Sequence, residues 1–157
     1  MRKILINNSK KDTFPLQTDW LNTEALAEAE LSSEDAAYPI EFALRPDHNA
    51  GWRAAEPGKQ TIRLLFDQPQ HIRRIRLSFV ESALERTQEY VLRWSADGGQ
   101  SFREVVRQQW NFSPNGATLQ TEDYAVELDG LTLLELCIIP DIGNEKVYAS
   151  LAQLLLA

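Results

Sequence analysis

Tyr90-Val91-Leu92-Arg93-Trp94-Ser95-Ala96-Asp97-Gly98-Gly99-Gln100-Ser101-Phe102 holds a strand and a tight turn in sequence. Tyr90, Leu92 and Trp94 alternate with Val91, Arg93 and Ser95, the period of a half-buried strand. Asp97-Gly98-Gly99 then supplies turn chemistry. The same reading extends outward on both sides. Ile62, Leu64 and Phe66 alternate with Arg63 and Leu65, and Ile75, Leu77 and Phe79 alternate with Arg74, Arg76 and Ser78. Tyr124, Val126 and Leu128 alternate with Ala125 and Glu127. Asp67-Gln68-Pro69, Ser113-Pro114-Asn115-Gly116 and Asp129-Gly130 read as turns that separate these strands. Leu131 to Ile139 is an almost continuous apolar run, as expected of a central strand, and Pro140 closes it because proline cannot donate to a ladder. Leu151 to Leu156 is the last expected strand.

About seven or eight strands with turns at close spacing predict an all-β antiparallel sandwich or jelly roll, here one domain over residues 1–157. No helical period follows residue 60, which argues against βαβ folds. Asn22 to Asp35 is rich in Ala and Glu, and propensity predicts a helix there, ended by Ser32-Ser33 and Tyr38-Pro39. Residues 1–20 read as a lead-in strand and loop. Pro39 to Leu44 gives way to a polar loop at Arg45 to Gly51.

The chain has 157 residues, 43% hydrophobic and 25% charged, with a net charge of −7. That composition is globular and excludes a disordered tail, a collagen and a coiled coil. An acidic chain is a poor polyanion binder, so neither nucleic acid nor an anionic membrane is the expected partner. No apolar run approaches the roughly 20 residues of a membrane span. The single cysteine, Cys137, can form no internal disulfide or structural zinc site and reads as a small buried hydrophobe. Ile4-Leu5-Ile6 falls short of the roughly 7–15 apolar residues of a secretory signal, so a cytoplasmic protein is expected.

Ordered along the chain, these pieces resemble the discoidin, or coagulation factor 5/8 type C, family of galactose-binding-like jelly rolls. The resemblance runs through Ser32-Ser33-Glu34, Tyr38-Pro39, Ala43-Leu44 and Gly51-Trp52. It continues through Pro57 to Leu64, Ile72 to Leu77, Tyr90 to Phe102 and Ala149 to Ala152, and covers about residues 30–157. It implies a non-catalytic binding module that recognises sugars, phospholipid head groups or proteins through loops at one end of the barrel. It also implies that Trp52 is a core tryptophan and that Glu81 to Glu89 is a rim loop. A structural calcium is implied near that end, held by a carboxylate on the last strand. Gln153 stands at that position, and a neutral amide is a weaker ligand for a hard cation, so no cofactor is expected.

Candidate ligand contacts follow from side-chain chemistry. His48 lies in the donor-rich loop Asp47 to Arg53, or is simply a solvated surface histidine. Arg86 in the rim loop could clamp a carboxylate or diol through its planar fork, or pair with Glu85 or Glu89. Gln108, Trp110 and Asn111 put amides beside an indole, which suits stacking on a sugar and bonding its hydroxyls. The alternative is that Trp110 and Phe112 plug the open end of the barrel. Arg63, Arg74, Arg76 and Arg93 face outward by parity and are expected to pair with glutamates such as Glu127.

Ser95 to Phe102 also fits the Asp-box pattern of sialidase-like propellers. One copy in a chain this short reads as a self-bonded hairpin turn. The two histidines, His48 and His71, sit in no catalytic pattern, so an enzyme is not expected. The reading is a carbohydrate-binding module, with an intracellular protein-docking domain as the alternative.

Overall fold

The protein is described by a computed structural model covering residues 20–157. The expected lead-in strand and loop at residues 1–20 lie outside the described residues, apart from residue 20. Eight strands and two short helices follow in the order α1 (Thr23–Leu26), β1 (Ala27–Leu31), α2 (Glu41–Leu44), β2 (Trp52–Pro57), β3 (Gln60–Val80), β4 (Arg86–Ser95), β5 (Arg103–Phe112), β6 (Leu119–Ile139), β7 (Tyr148–Leu151) and β8 (Gln153–Leu156). All pairings are antiparallel.

The strands β3 and β6, each 21 residues long, form one extended pair that spans the molecule. The first half of β3 and the second half of β6 belong to the row β1-β3-β6-β4-β5. The second half of β3 pairs with β8 on its other side. The two halves face each other across the core, since Phe79 late in β3 sets its ring 5.1 Å from that of Tyr90 on β4. Strands β2 and β7 form a separate two-stranded sheet. The architecture is an antiparallel sandwich.

Alternation places the core as the sequence implies. Ile62, Leu64, Ile75, Leu77, Phe79, Tyr90, Leu92 and Trp52 are each at most 1% exposed. Full burial of a tryptophan hides on the order of 200 Å² of apolar surface, which makes Trp52 a principal stabiliser.

Four expectations are corrected. The predicted helix over Asn22 to Asp35 exists only at Thr23–Leu26, and Ala27–Leu31 is a strand paired with Ile62–Phe66. Ladder bonds to β3 and packing of Ala27 and Leu31 against the core override a helix propensity too small to hold a short isolated helix. Second, the predicted turns at Asp67-Gln68-Pro69 and Asp129-Gly130 do not end strands. From Leu65 to Gln70 β3 advances five residues, while β6 moves only from Leu133 to Leu131. Pro69 stands in this bulged stretch, where no ladder donor is needed, and Gly130 adopts φ +74. Third, the predicted last strand is two strands broken at Ala152, whose N–H bonds the Ser78 carbonyl at 2.8 Å. Cys137 is half-buried on the outer face of β6, not in the core.

Candidate functional site

A cavity of about 960 Å³ opens where four chain segments meet: residues 34–38, residues 49–55, residues 80–83 and the stretch from Tyr148 to Ala152. Local bonding holds these walls. The Arg53 N–H donates to the Tyr38 carbonyl at 3.2 Å, and the Asp35 N–H donates to the Arg53 carbonyl at 2.9 Å. The loop before β2 is tied down by the Gln153 amide, which donates to the Pro46 carbonyl at 3.3 Å.

The lining is aromatic and polar. The Arg53 guanidinium lies 4.1 Å from the centroid of the Tyr38 ring. Tyr148, on the strand paired with that of Arg53, also lines the groove and is 55% exposed. Asn49, Ser82 and Ser150 add neutral polar groups, and Glu34 and Asp35 add carboxylates. One oxygen of each carboxylate serves the loop itself: Glu34 Oε1 accepts the Ile40 N–H and Asp35 Oδ1 accepts the Ala37 N–H. Glu81 is wholly engaged. Its Oε1 accepts from Arg86 and its Oε2 from the Ala83 and Leu84 N–H groups. Burial raises the Glu81 pKa, but these hydrogen bonds outweigh it and hold the carboxyl below its ordinary value. The groove thus offers two tyrosine rings, a stacked guanidinium and a ring of hydroxyl-bonding groups.

None of the five side chains expected from sequence lines this groove. His48 stacks on Phe42 with ring centroids 3.9 Å apart, and its Nδ1 accepts the Ala50 N–H. It shapes the loop whose Asn49 and Ala50 do line the groove. Arg86 is 3% exposed. It donates to Glu81, to the side-chain Oε1 of Gln88 and to the Pro140 backbone carbonyl, and lies over the Phe112 ring. Its ion partner is Glu81 rather than Glu85 or Glu89, and its bonding within the fold makes it a tie behind the groove wall. Gln108 and Trp110 stand opposite Tyr90 and Gln88 on the inner face of β5. Asn111 is on the outer face, where its Oδ1 accepts the Thr87 hydroxyl at 2.8 Å. The structure therefore separates His48 from the β5 residues and brings forward Tyr38, Arg53 and Tyr148. The signal for Tyr148 was parity: Ala149 and Leu151 point inward on β7, so Tyr148 cannot share their setting.

The calcium implied by resemblance does not fit this donor set. The Gln153 amide donates to the Pro46 carbonyl, and among the described residues no three His, Cys, Asp or Glu side chains gather to hold a metal. The outward arginines are paired, but not with Glu127. Arg63 and Arg93 bond Glu135, Arg74 and Arg76 bond Asp123, and Glu127 bonds His71 instead. The Ser95 to Phe102 turn is self-bonded as expected, with Asp97 accepting from the Ser95 and Ser101 hydroxyls.

The fold is shared with solved domains. A family 32 carbohydrate-binding module of NanJ from Clostridium perfringens, solved with galactose, superposes at TM-score 0.63 and 15% identity, over 87% of this chain and 96% of that one. CpGH89CBM32-5 from Clostridium perfringens, solved with GalNAc-β-1,3-galactose, gives TM-score 0.62 and 22% identity over 87% and 98%. XRCC1, solved bound to the DNA polymerase β catalytic domain, gives TM-score 0.56 and 14% identity over 82% and 92%. At these identities the likeness shows the fold. No curated protein matches the sequence. The F5/8 type C domain model matches residues 28–129, most of the described chain. On that match the chain belongs to the F5/8 type C domain family.

Proposed function

We propose that the protein is a non-catalytic carbohydrate-binding module whose groove takes a sugar. One observation carries this reading: exposed Tyr148 on β7 and the Arg53–Tyr38 stack line the same groove, together with Asn49, Ser82 and Ser150, and Ser150 is the cross-strand partner of Arg53. Aromatic faces pack against the C–H face of a sugar ring, and a guanidinium donates two aligned bonds to vicinal hydroxyls. The sugars in two structures of the same fold support it. The test is a glycan array followed by calorimetry on the parent, Arg53→Ala and Tyr148→Ala. Each variant is expected to lose about tenfold or more in affinity, as loss of one good contact does. Variants that bind as the parent does would remove the groove from the reading, and a parent that binds no glycan would remove the sugar.

A second reading, protein docking, is favoured by an apolar cluster that begins at the groove wall. Val80 and Leu119 are cross-strand partners at the strand ends, 50% and 56% exposed, and Leu84 nearby in sequence is 48% exposed. An exposed apolar cluster of this kind suits a protein contact. A partner mapped by crosslinking and lost in Leu84→Asp with Leu119→Asp, while glycan binding persists, would favour docking. Retention of the partner by that variant would count against it.

A further inference from the structure

Among the described residues five buried side-chain polar atoms have no hydrogen-bond partner, and four belong to three side chains between the layers: Gln88 Nε2, Trp110 Nε1, and Gln120 Nε2 and Oε1. Gln88 is 0% exposed and Gln120 1%. Buried polar groups are almost always bonded, so a cluster of unbonded ones calls for a cause.

The topology brings the three together. Gln88 stands opposite Trp110 in the β4–β5 register, so the two share a face. On β4, Gln88 lies between Arg86 and Tyr90. Arg86 bonds Glu81, whose N–H bonds the Thr118 carbonyl just before β6. Tyr90 bonds the Tyr124 hydroxyl within β6. Gln120 lies between Thr118 and Tyr124, beside Phe79, whose ring touches Tyr90. Gln88 and Gln120 therefore occupy the same interval on facing layers, and Trp110 closes its side.

The chemistry selects the occupant. The Gln88 Oε1 already accepts from Arg86, so the unpartnered atom of Gln88 is its donor Nε2. The Trp110 indole is a donor only, and Gln120 offers both donors and an acceptor. Donors exceed acceptors, so the three cannot satisfy one another. An anion would answer the donors, but Glu122 shares the inward parity of Gln120 and Tyr124 and repels it. A neutral molecule that both accepts and donates fits.

We infer that Gln88, Gln120 and Trp110 build an internal water site between the layers, separate from the groove and independent of its sugar reading. It holds about one or two ordered waters, each with the several polar partners that buried water needs. Access is from the β5 edge, where Gln108 and Trp110 are half-buried.

Nuclear Overhauser spectroscopy of the parent protein tests this directly. Cross-peaks of long-lived water to the Trp110 Nε1–H and to the Gln88 and Gln120 amide protons are expected, and their absence overturns the inference. The Gln120→Leu variant gives a second reading by urea unfolding. A hydrated site loses its acceptor, and the midpoint falls. A dry site sheds an unbonded amide, and the midpoint rises, which also overturns it.

Discussion

A Cβ placed on Gly51 would stand 2.4 Å from the Leu151 carbonyl oxygen. Gly51 also holds φ +72, a conformation that side chains resist. This close approach seats the loop before β2 against β7 and fixes two walls of the groove. Gly51→Ala is expected to destabilise the fold by more than about 2 kcal/mol, through strain and collision together. Urea unfolding measures it, and a change within about 0.5 kcal/mol would show that the loop moves away freely.

Glu135 is the centre of a charged row across the sheet. The Arg63 Nε donates to its Oε2 at 2.8 Å, and the Arg93 Nε donates to its Oε1. Registers extend the row to Glu30 beside Arg63 and Glu104 beside Arg93. Glu135 is 1% exposed, while the two arginine side chains are 42% and 40% exposed. Glu135→Gln is expected to cost about 1–3 kcal/mol, limited because the arginines can turn to water. Burial raises the Glu135 pKa, but the bonds from Arg93 and Arg63 outweigh it and leave the carboxyl below its ordinary value. Its stabilising share is therefore full above the unfolded value near about 4.3 and is lost as pH falls through the lower folded value. The gap in unfolding midpoint between parent and Glu135→Gln should shrink between pH 5 and pH 2, both about the ordinary carboxylate range. A gap that stays constant would contradict the ion-pair account.

His71 sits on the irregular stretch of β3, bonded to Asp129 through Nδ1 and to Glu127 through Nε2. These two carboxylates raise its pKa above the usual value. The sign is that of a group raised on folding: its contribution is full below about pH 6.5 and fades as pH rises through the higher folded value. Titration of the His71 ring protons by NMR should give a pKa above that of an unstructured histidine. Glu127→Gln with Asp129→Asn should return it to the ordinary range. An unchanged titration in that variant would refute the pairing.

The Tyr90 and Tyr124 hydroxyls bond each other at 2.5 Å between the layers. Burial and this bond push the Tyr90 pKa well above its ordinary value. Tyr124→Phe is expected to cost about 1 kcal/mol, as one internal hydrogen bond does. Tyr90→Phe and the double variant should then be less than additive in urea unfolding. Full additivity would show that the hydroxyls do not support each other.

The sequence by itself determined the class of fold, because alternation has a physical cause that acts strand by strand. Ile62, Leu64, Tyr90 and Leu92 had only one face on which to bury, and each buries there. Turn chemistry was local as well, so the Asp97 turn could be read from its own residues. What propensity assigned to Asn22–Asp35 was overruled by a partner strand more than thirty residues on, as Ala27 pairs with Phe66. The groove is non-local throughout. Tyr38, Arg53 and Tyr148 come from three segments, and no spacing in the chain links them. Arg86 and Trp110 read as contacts because their side chains suit ligands. Only the packed structure decides which way such a side chain faces, and it turned Arg86 to Glu81 and the Pro140 carbonyl inside the fold. Local order follows from residues near in sequence, whereas a site is made by the closure of loops whose neighbours are chosen by the core beneath them.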